Sequence, residues 1–252
     1  MIISSKTNTL YKILRKLEKK KERIERGLFI AEGERLVRDA YETNSISRLV
    51  ISASYFGWTP PDIEAAILSD ALFESIAQTQ STQGILAICK IPKVTKGLED
   101  SSKFVVICDG ISDPGNLGTI IRTSEAAGVD NIILMPNCTD PFNPKTVRAS
   151  MGSIFRLPLY ESASLDCLIE QDFKILLTAL EDDSVDIYDV HAYEKIAVIL
   201  GNEAHGASEE ARNIANLSVK IPMQGKNESL NVAAAAAVVL FEIMRKRRGT
   251  NA

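Results

Sequence analysis

The chain has little with which to build a metal centre or a disulfide framework. Its 252 residues include four cysteines (Cys89, Cys108, Cys138, Cys167) and two histidines (His191, His205). The cysteines are far apart and form no CxxC pair, so no metal site is expected and reduced thiols are. No apolar run reaches the roughly 18 to 20 residues of a membrane-spanning helix. The first residues, MIISSKTNTLYK, lack the apolar core of a secretory signal. These absences predict a cytoplasmic protein with no membrane partner. Two common nucleotide-binding signatures are also missing: no GK[ST] and no GxGxxG occurs in the glycine-containing turn described below.

What is present is ordinary globular composition, 45% hydrophobic and 25% charged, long enough for one large domain or two modest ones. The net charge of −4 hides a strong asymmetry. Residues 1–26 hold nine Lys/Arg against Glu18, Glu22 and Glu25, and Arg245-Lys246-Arg247-Arg248 adds four more cations. Everything between is therefore strongly acidic. Cations gathered at both ends suit a polyanion, whose counterions they would displace; two solvated helix faces would look the same.

Residues 6–26 read as one basic helix with an apolar stripe of Leu10, Ile13, Leu14 and Leu17, closed by Gly27. Strands at 28–31, 49–51 and 84–89 follow, with a helix at 34–43 and a helical stretch from Asp62 to Ala77. Residues 92–103, PKVTKGLEDSSK, read as a linker. They separate a domain at 1–95 from one at 103–252. In the second, apolar strands at 104–108, 131–135, 174–178, 196–200 and 217–221 alternate with helical segments at 119–127 and 147–154, an edge element at 157–159 and an alanine-rich last helix. That order predicts an α/β domain with a mainly parallel sheet.

Three stretches carry candidate chemistry. DGISDPGNLGTIIRTSEAAG (109–128) follows a strand, where open α/β sheets bind ligands. Its glycines allow close backbone approach, and Arg122 lies where a guanidinium could grip a phosphate; a structural turn with a surface arginine fits equally well. LGNEAHGAS (200–208) brackets Glu203 and His205 between glycines, and His205 reads as a loop residue. IPMQGKNESLNVAAAAA (221–237) runs from a polar turn into a helix of small residues, with Ser229 as the expected N-cap.

Taken together, NxGxxxR, GNExxG and IPMxGxxxSLNVAxA resemble the SpoU (TrmH) family of the SPOUT superfamily of RNA methyltransferases over residues 104–248. FIAEGERLV (29–37) and QGILAI (83–88) are similar to that family's ribosomal-protein-like RNA-binding domain. The resemblance implies a C-terminal trefoil knot, a homodimer with sites built from both subunits, S-adenosylmethionine as cofactor, and methylation of a ribose 2′-hydroxyl. It implies Thr178, Leu200, Gly201, Asn202, Ile221, Met223 and Leu230 around the cofactor, with Asn116, Arg122, Glu203, Ser229 and Asn231 as the catalytic set. One departure stands out: Ala233 occupies a position where many members carry serine.

The family's arginine has been given the part of general base. A guanidinium stays protonated, so the role read for Arg122 is to fix the target phosphate and stabilise the developing alkoxide. Glu203 and Asn116 read as either catalytic or loop-closing, and capping alone would account for Ser229. The expected substrate is 23S ribosomal RNA, favoured over transfer RNA because of the separate N-terminal domain. A transfer-RNA 2′-O-methyltransferase and a non-catalytic RNA-binding or ribosome-assembly protein on the same fold are the alternatives.

Overall fold

The computed structural model describes residues 1–92, 98–181, 183–202, 205–226 and 229–250. The chain divides into two compact units, Met1–Lys93 with Asp140–Arg156, and Val94–Thr139 with Leu157–Ala252. The contiguous domains expected from the sequence do not include the assignment of 140–156 to the first unit.

The first unit opens with strand β1 (Ile2–Ile3) and two short helices, α1 (Thr9–Lys16) and α2 (Lys20–Arg26). The single helix expected over 6–26 is thus broken at Leu17–Lys19, although neither glycine nor proline stands there. The cause is Arg23. Its Nη1 donates to the carbonyls of Leu17 (2.7 Å) and Glu18 (2.8 Å), satisfying acceptors that a continuous helix would have used. The expected apolar stripe does face the core, with Leu14 and Leu17 fully buried, and Gly27 ends α2 at φ 63°, a left-handed cap that suits glycine.

Strand β2 (Leu28–Glu32), helix α3 (Glu34–Glu42), strands β3 (Ile46–Ser52) and β4 (Ala65–Leu68), helix α4 (Asp70–Glu74) and strand β5 (Ile85–Lys90) complete the N-terminal part. The sheet order is β1-β4-β3-β5-β2. The helical stretch expected from Asp62 to Ala77 is corrected: Ala65–Leu68 pairs in parallel with β3, and only Asp70–Glu74 is α-helical. Neighbouring strands override the helix propensity of alanine and leucine.

In the second unit, strand β6 (Phe104–Cys108) leads to helix α5 (Pro114–Ala126) and strand β7 (Asn131–Leu134). The chain then passes through helix α6 (Pro144–Ala149) and a 3-10 turn at Ser153–Phe155, both in the segment grouped with the first unit. It returns as strand β8 (Leu159–Glu161), helix α7 (Asp166–Glu170), strands β9 (Lys174–Thr178), β10 (Val185–Asp186) and β11 (Ile196–Leu200), helix α8 (Glu209–Ile214), strand β12 (Leu217–Lys220) and helix α9 (Val232–Thr250). The seven strands run β10-β12-β9-β11-β6-β7-β8, every pairing parallel. Such sheets are buried on both faces, which is why β6 and β11 are unbroken apolar runs. Val105, Ile107, Ile175, Leu177, Ala197 and Ile199 face one side with Leu168 of α7 and Ala211 of α8. Alternation sends Val106, Cys108, Val198 and Leu200 to the other side, and α5 packs on α9.

Helix α5 begins five residues before the expected Thr119. Asp113 is its N-cap, its carboxylate accepting from the Asn116 N–H at 2.9 Å, and Pro114 follows in the first turn. Asn116 therefore belongs to the helix. All four cysteines are free thiols, with Cys89 and Cys108 buried. Burial pushes both thiols far above the ordinary range, which leaves them unreactive. No described helix is long and apolar enough to cross a membrane.

Candidate functional site

The parallel register aligns the carboxyl ends of four strands. Leu200 lies beside Cys108 and Thr178, and Thr178 lies beside Val219. The connections after these strands, near residues 109, 179, 201 and 221, leave from one edge of the sheet, the edge where parallel α/β sheets bind ligands.

The loop after β11 is held shut by its own backbone. Asn202 and Gly206 exchange N–H···O bonds of 3.0 and 2.9 Å. Gly201 is required there: a Cβ would lie 2.8 Å from the Ala207 nitrogen and 2.9 Å from the Gly206 carbonyl carbon, both main-chain atoms with little room to give. Asn202 also reaches back to the turn after β6, its Nδ2 donating to the Gly110 carbonyl at 2.6 Å. Beside it, the buried Asp109 carboxylate accepts from the Ser208 N–H at 2.6 Å. Two separate stretches singled out in the sequence, 109–128 and 200–208, are thus joined by side-chain-to-backbone bonds.

The third stretch joins them through one asparagine. Asn231 Nδ2 donates to Asn116 Oδ1 at 3.1 Å, while Asn231 Oδ1 accepts from the N–H groups of Ala233 (2.9 Å) and Ala234 (3.4 Å). Its carbonyl accepts the first helical bond, from Ala235. Asn231, not the expected Ser229, therefore caps α9. Ala233 is buried and is tied to the cap through its backbone, so the serine common at this position is not needed for the bond described.

These connections enclose a cleft of about 560 Å³. Thr178, Gly201, Asn202, Ile221, Met223 and Leu230 line it, as do Ser229 and Asn231. Leu200 does not: it is fully buried in β11, and its carbonyl accepts from the Asp109 N–H. Asn116 is not among the lining residues and accepts from Asn231, which is. Arg122 is exposed on α5, is absent from the lining, and has no hydrogen-bond or ionic partner among the described residues. Six helical positions place Asn116 and Arg122 about 120° apart around the axis, so they do not share a face. Glu203 lies outside the described residues. His205 is an exposed loop residue whose N–H donates to Asn202 Oδ1.

The sequence reading missed two charged residues in the cleft. Glu181, three residues past β9, is ion-paired to Arg212 of α8 and accepts from Ser218 Oγ at 2.8 Å. Its place after a strand end was the available signal. Apolar Ile221, Leu230 and Val239 and this charged pair give the cleft both a surface for a flat ring and groups for a polar one. Among the described residues no group of three or more His, Cys, Asp or Glu is arranged to hold a metal ion.

Comparison with known proteins agrees with this geometry. Residues 103–241 match the SpoU rRNA Methylase family, and residues 8–87 match the MRM3-like substrate binding domain. The chain is 34% identical over 248 residues to the 23S rRNA (guanosine(2553)-2′-O)-methyltransferase RlmP of Bacillus subtilis, covering 96% of this chain and 98% of that one. It is 29% identical over 199 residues to the 23S rRNA (uridine(2479)-2′-O)-methyltransferase of Streptomyces viridochromogenes, covering 73% and 68%. Among solved structures it resembles the AdoMet-bound rRNA methyltransferase of Sinorhizobium meliloti, with a TM-score of 0.84, 30% identity and 97% of each chain covered. With its three motif stretches gathered at one edge of an all-parallel sheet and its sequence matched from residue 103 to 241, the chain belongs to the SpoU rRNA methylase family.

Proposed function

We propose that this chain transfers a methyl group from S-adenosylmethionine to a ribose 2′-hydroxyl of 23S ribosomal RNA. The observation that carries the reading is the cleft. Six of the seven residues expected around the cofactor line it, and its volume of about 560 Å³ is that of a small-molecule site. Thr178, Gly201, Asn202, Ile221, Met223 and Leu230 would hold the cofactor, with apolar walls for the adenine. When bound, S-adenosylmethionine supplies an electrophilic methyl carbon to the reaction.

The protein's part is positioning and charge. The 2′-oxygen must approach the methyl carbon in line while losing its proton, so alignment contributes heavily. Arg122 fixes the neighbouring phosphate and stabilises the negative charge that develops on the oxygen. A guanidinium has no acceptor to offer, so the proton leaves through the phosphate or a water. Asn116 and Asn231 hold the starts of α5 and α9 together. Glu203 and Ser229 complete the set that the family motifs imply.

Arg122 does not line the cleft of its own chain, so the reading includes a homodimer in which a second copy brings its Arg122 to this cleft. Phe241 supports it, a large apolar side chain 43% exposed on the helix that packs on α5. Sedimentation equilibrium is expected to give twice the chain mass at micromolar concentration; a monomer retaining full activity would remove the shared site. The reading also includes the knotted threading of the C-terminal segment, a substrate-binding domain over 1–95 ahead of a catalytic domain over 103–252, and a cytoplasmic location.

Incubation of the protein with labelled S-adenosylmethionine and RNA from a strain lacking it tests the whole. Label is expected at one ribose of 23S RNA, located by mapping 2′-O-methyl groups. Label in transfer RNA would change the substrate, and no label in any unmodified RNA would leave an RNA-binding or assembly protein.

A further inference from the structure

We infer that Phe56 is a stacking platform for an unpaired base of the RNA substrate. The loop between β3 and β4 packs Tyr55, Phe56 and Trp58 into four residues of a chain with only fifteen aromatics. Two of the three rings are fixed. The Tyr55 hydroxyl lies 2.8 Å from the Trp58 carbonyl and 3.2 Å from Glu34 Oε2 and shares its hydrogen bond between them. Burial, and then the Glu34 carboxylate, push the phenol up to about 12, so it remains a donor throughout the physiological range. Trp58 is covered by the Arg38 guanidinium, 4.0 Å from the ring centroid, and meets Tyr41 edge-on at 6.0 Å. Arg38 is itself held by Glu34, at 2.6 Å.

Between these anchored neighbours, Phe56 is 93% exposed. A loop this well tied could fold its third ring inward; instead it presents an apolar face to water. Single-stranded RNA is recognised by stacking its splayed bases on such rings and on arginine planes, and the stack tolerates any base because every base has a π-face. The surroundings favour RNA over an apolar protein surface. The unit carries seventeen Lys/Arg against twelve Asp/Glu, whereas the chain as a whole is negative. Exposed Arg35 and Arg38 lie on α3, the helix that this loop packs against. A duplex offers no free base face, so the occupant is an unpaired nucleotide of the substrate.

The inference rests on the proposed RNA substrate, and the test separates the two. Trp58 is the chain's one tryptophan and a built-in reporter. Titration of the full chain with a single-stranded twelve-residue oligoadenylate is expected to quench Trp58 emission saturably, and a blunt RNA duplex of that length to leave it unchanged. Phe56→Ala should weaken oligoadenylate binding about 5- to 150-fold, the range that loss of one aromatic–base stack covers, and Phe56→Tyr should restore it. On unmodified 23S RNA the alanine variant should raise KM with kcat unchanged. Wild-type affinity and KM in Phe56→Ala, with methyl transfer intact, would overturn the platform and leave the proposed function standing. Absence of methyl transfer by the wild-type chain would instead remove the proposed function.

Discussion

Arg122→Ala is expected to lower kcat for RNA methylation about 10²- to 10³-fold, the usual loss on removing one preorganised donor from a developing oxyanion, while S-adenosylmethionine binds with wild-type affinity. The split follows from where the residue sits. Arg122 is exposed on α5, outside the cleft and without a partner among the described residues. Its removal therefore leaves both the cleft wall and the core intact. A guanidinium kept free of internal ion pairs is available to a phosphate brought by the substrate. Arg122→Lys should recover little, because an ammonium cannot reproduce the planar two-point grip. Calorimetry settles the cofactor side and single-turnover kinetics the chemical side. Loss of cofactor binding in Arg122→Ala would move the residue into the cofactor site and undo the assignment.

Arg23→Ala is expected to destabilise the first unit by about 3–5 kcal/mol, the range for breaking a buried ion pair from one side. Arg23 is 2% exposed. Its Nε and Nη2 donate to Asp140 Oδ2 at 2.9 and 2.5 Å, and its Nη1 holds the two carbonyls at the end of α1. Removal strands the Asp140 carboxylate, 9% exposed at its side chain, and frees the break between α1 and α2. Asp140 keeps one bond through its other oxygen, from the Phe142 N–H. Adding Asp140→Ala to Arg23→Ala should cost less than the sum of the two single changes, the sign of direct coupling. Amide exchange in β2 and β5 reads the effect in this unit by itself. A loss below about 1 kcal/mol would mean that water or a neighbour replaces the pair.

Strands β6 and β11 were legible residue for residue because five apolar side chains in a row leave a fully buried parallel strand little alternative, and β9 was legible from its shorter run, Ile175–Leu177, between Lys174 and Thr178. The gathering of 109–128, 200–208 and 221–237 at one site was legible only through the family motifs. Periodicity says nothing about which strand ends become neighbours. Other errors have separate causes. Asp113-Pro114 carries the cap and first-turn proline of a helix start, yet Gly115 and Gly118 made the segment read as turn. Ser229 and Asn231 are both good cap residues, and only the contact with Asn116 selects the second. The break in the basic helix depends on a side chain reaching back six residues, which no spacing rule encodes.

The sheet order has a consequence for how the protein reaches this state. Phe104 pairs with Ile196, ninety-two residues later. Until β11 arrives, β6 with β7 and β8 is one fragment, and β9 with β12 and β10 another, because β11 alone joins β6 to β9. Each fragment presents an unsatisfied parallel edge while it waits, and closing so long a loop is slow. The strand that ends this exposure is also the one that leads into Gly201. The joining of the two fragments and the placing of one wall of the cleft are therefore one event, and a half-assembled chain has sticky edges but no site.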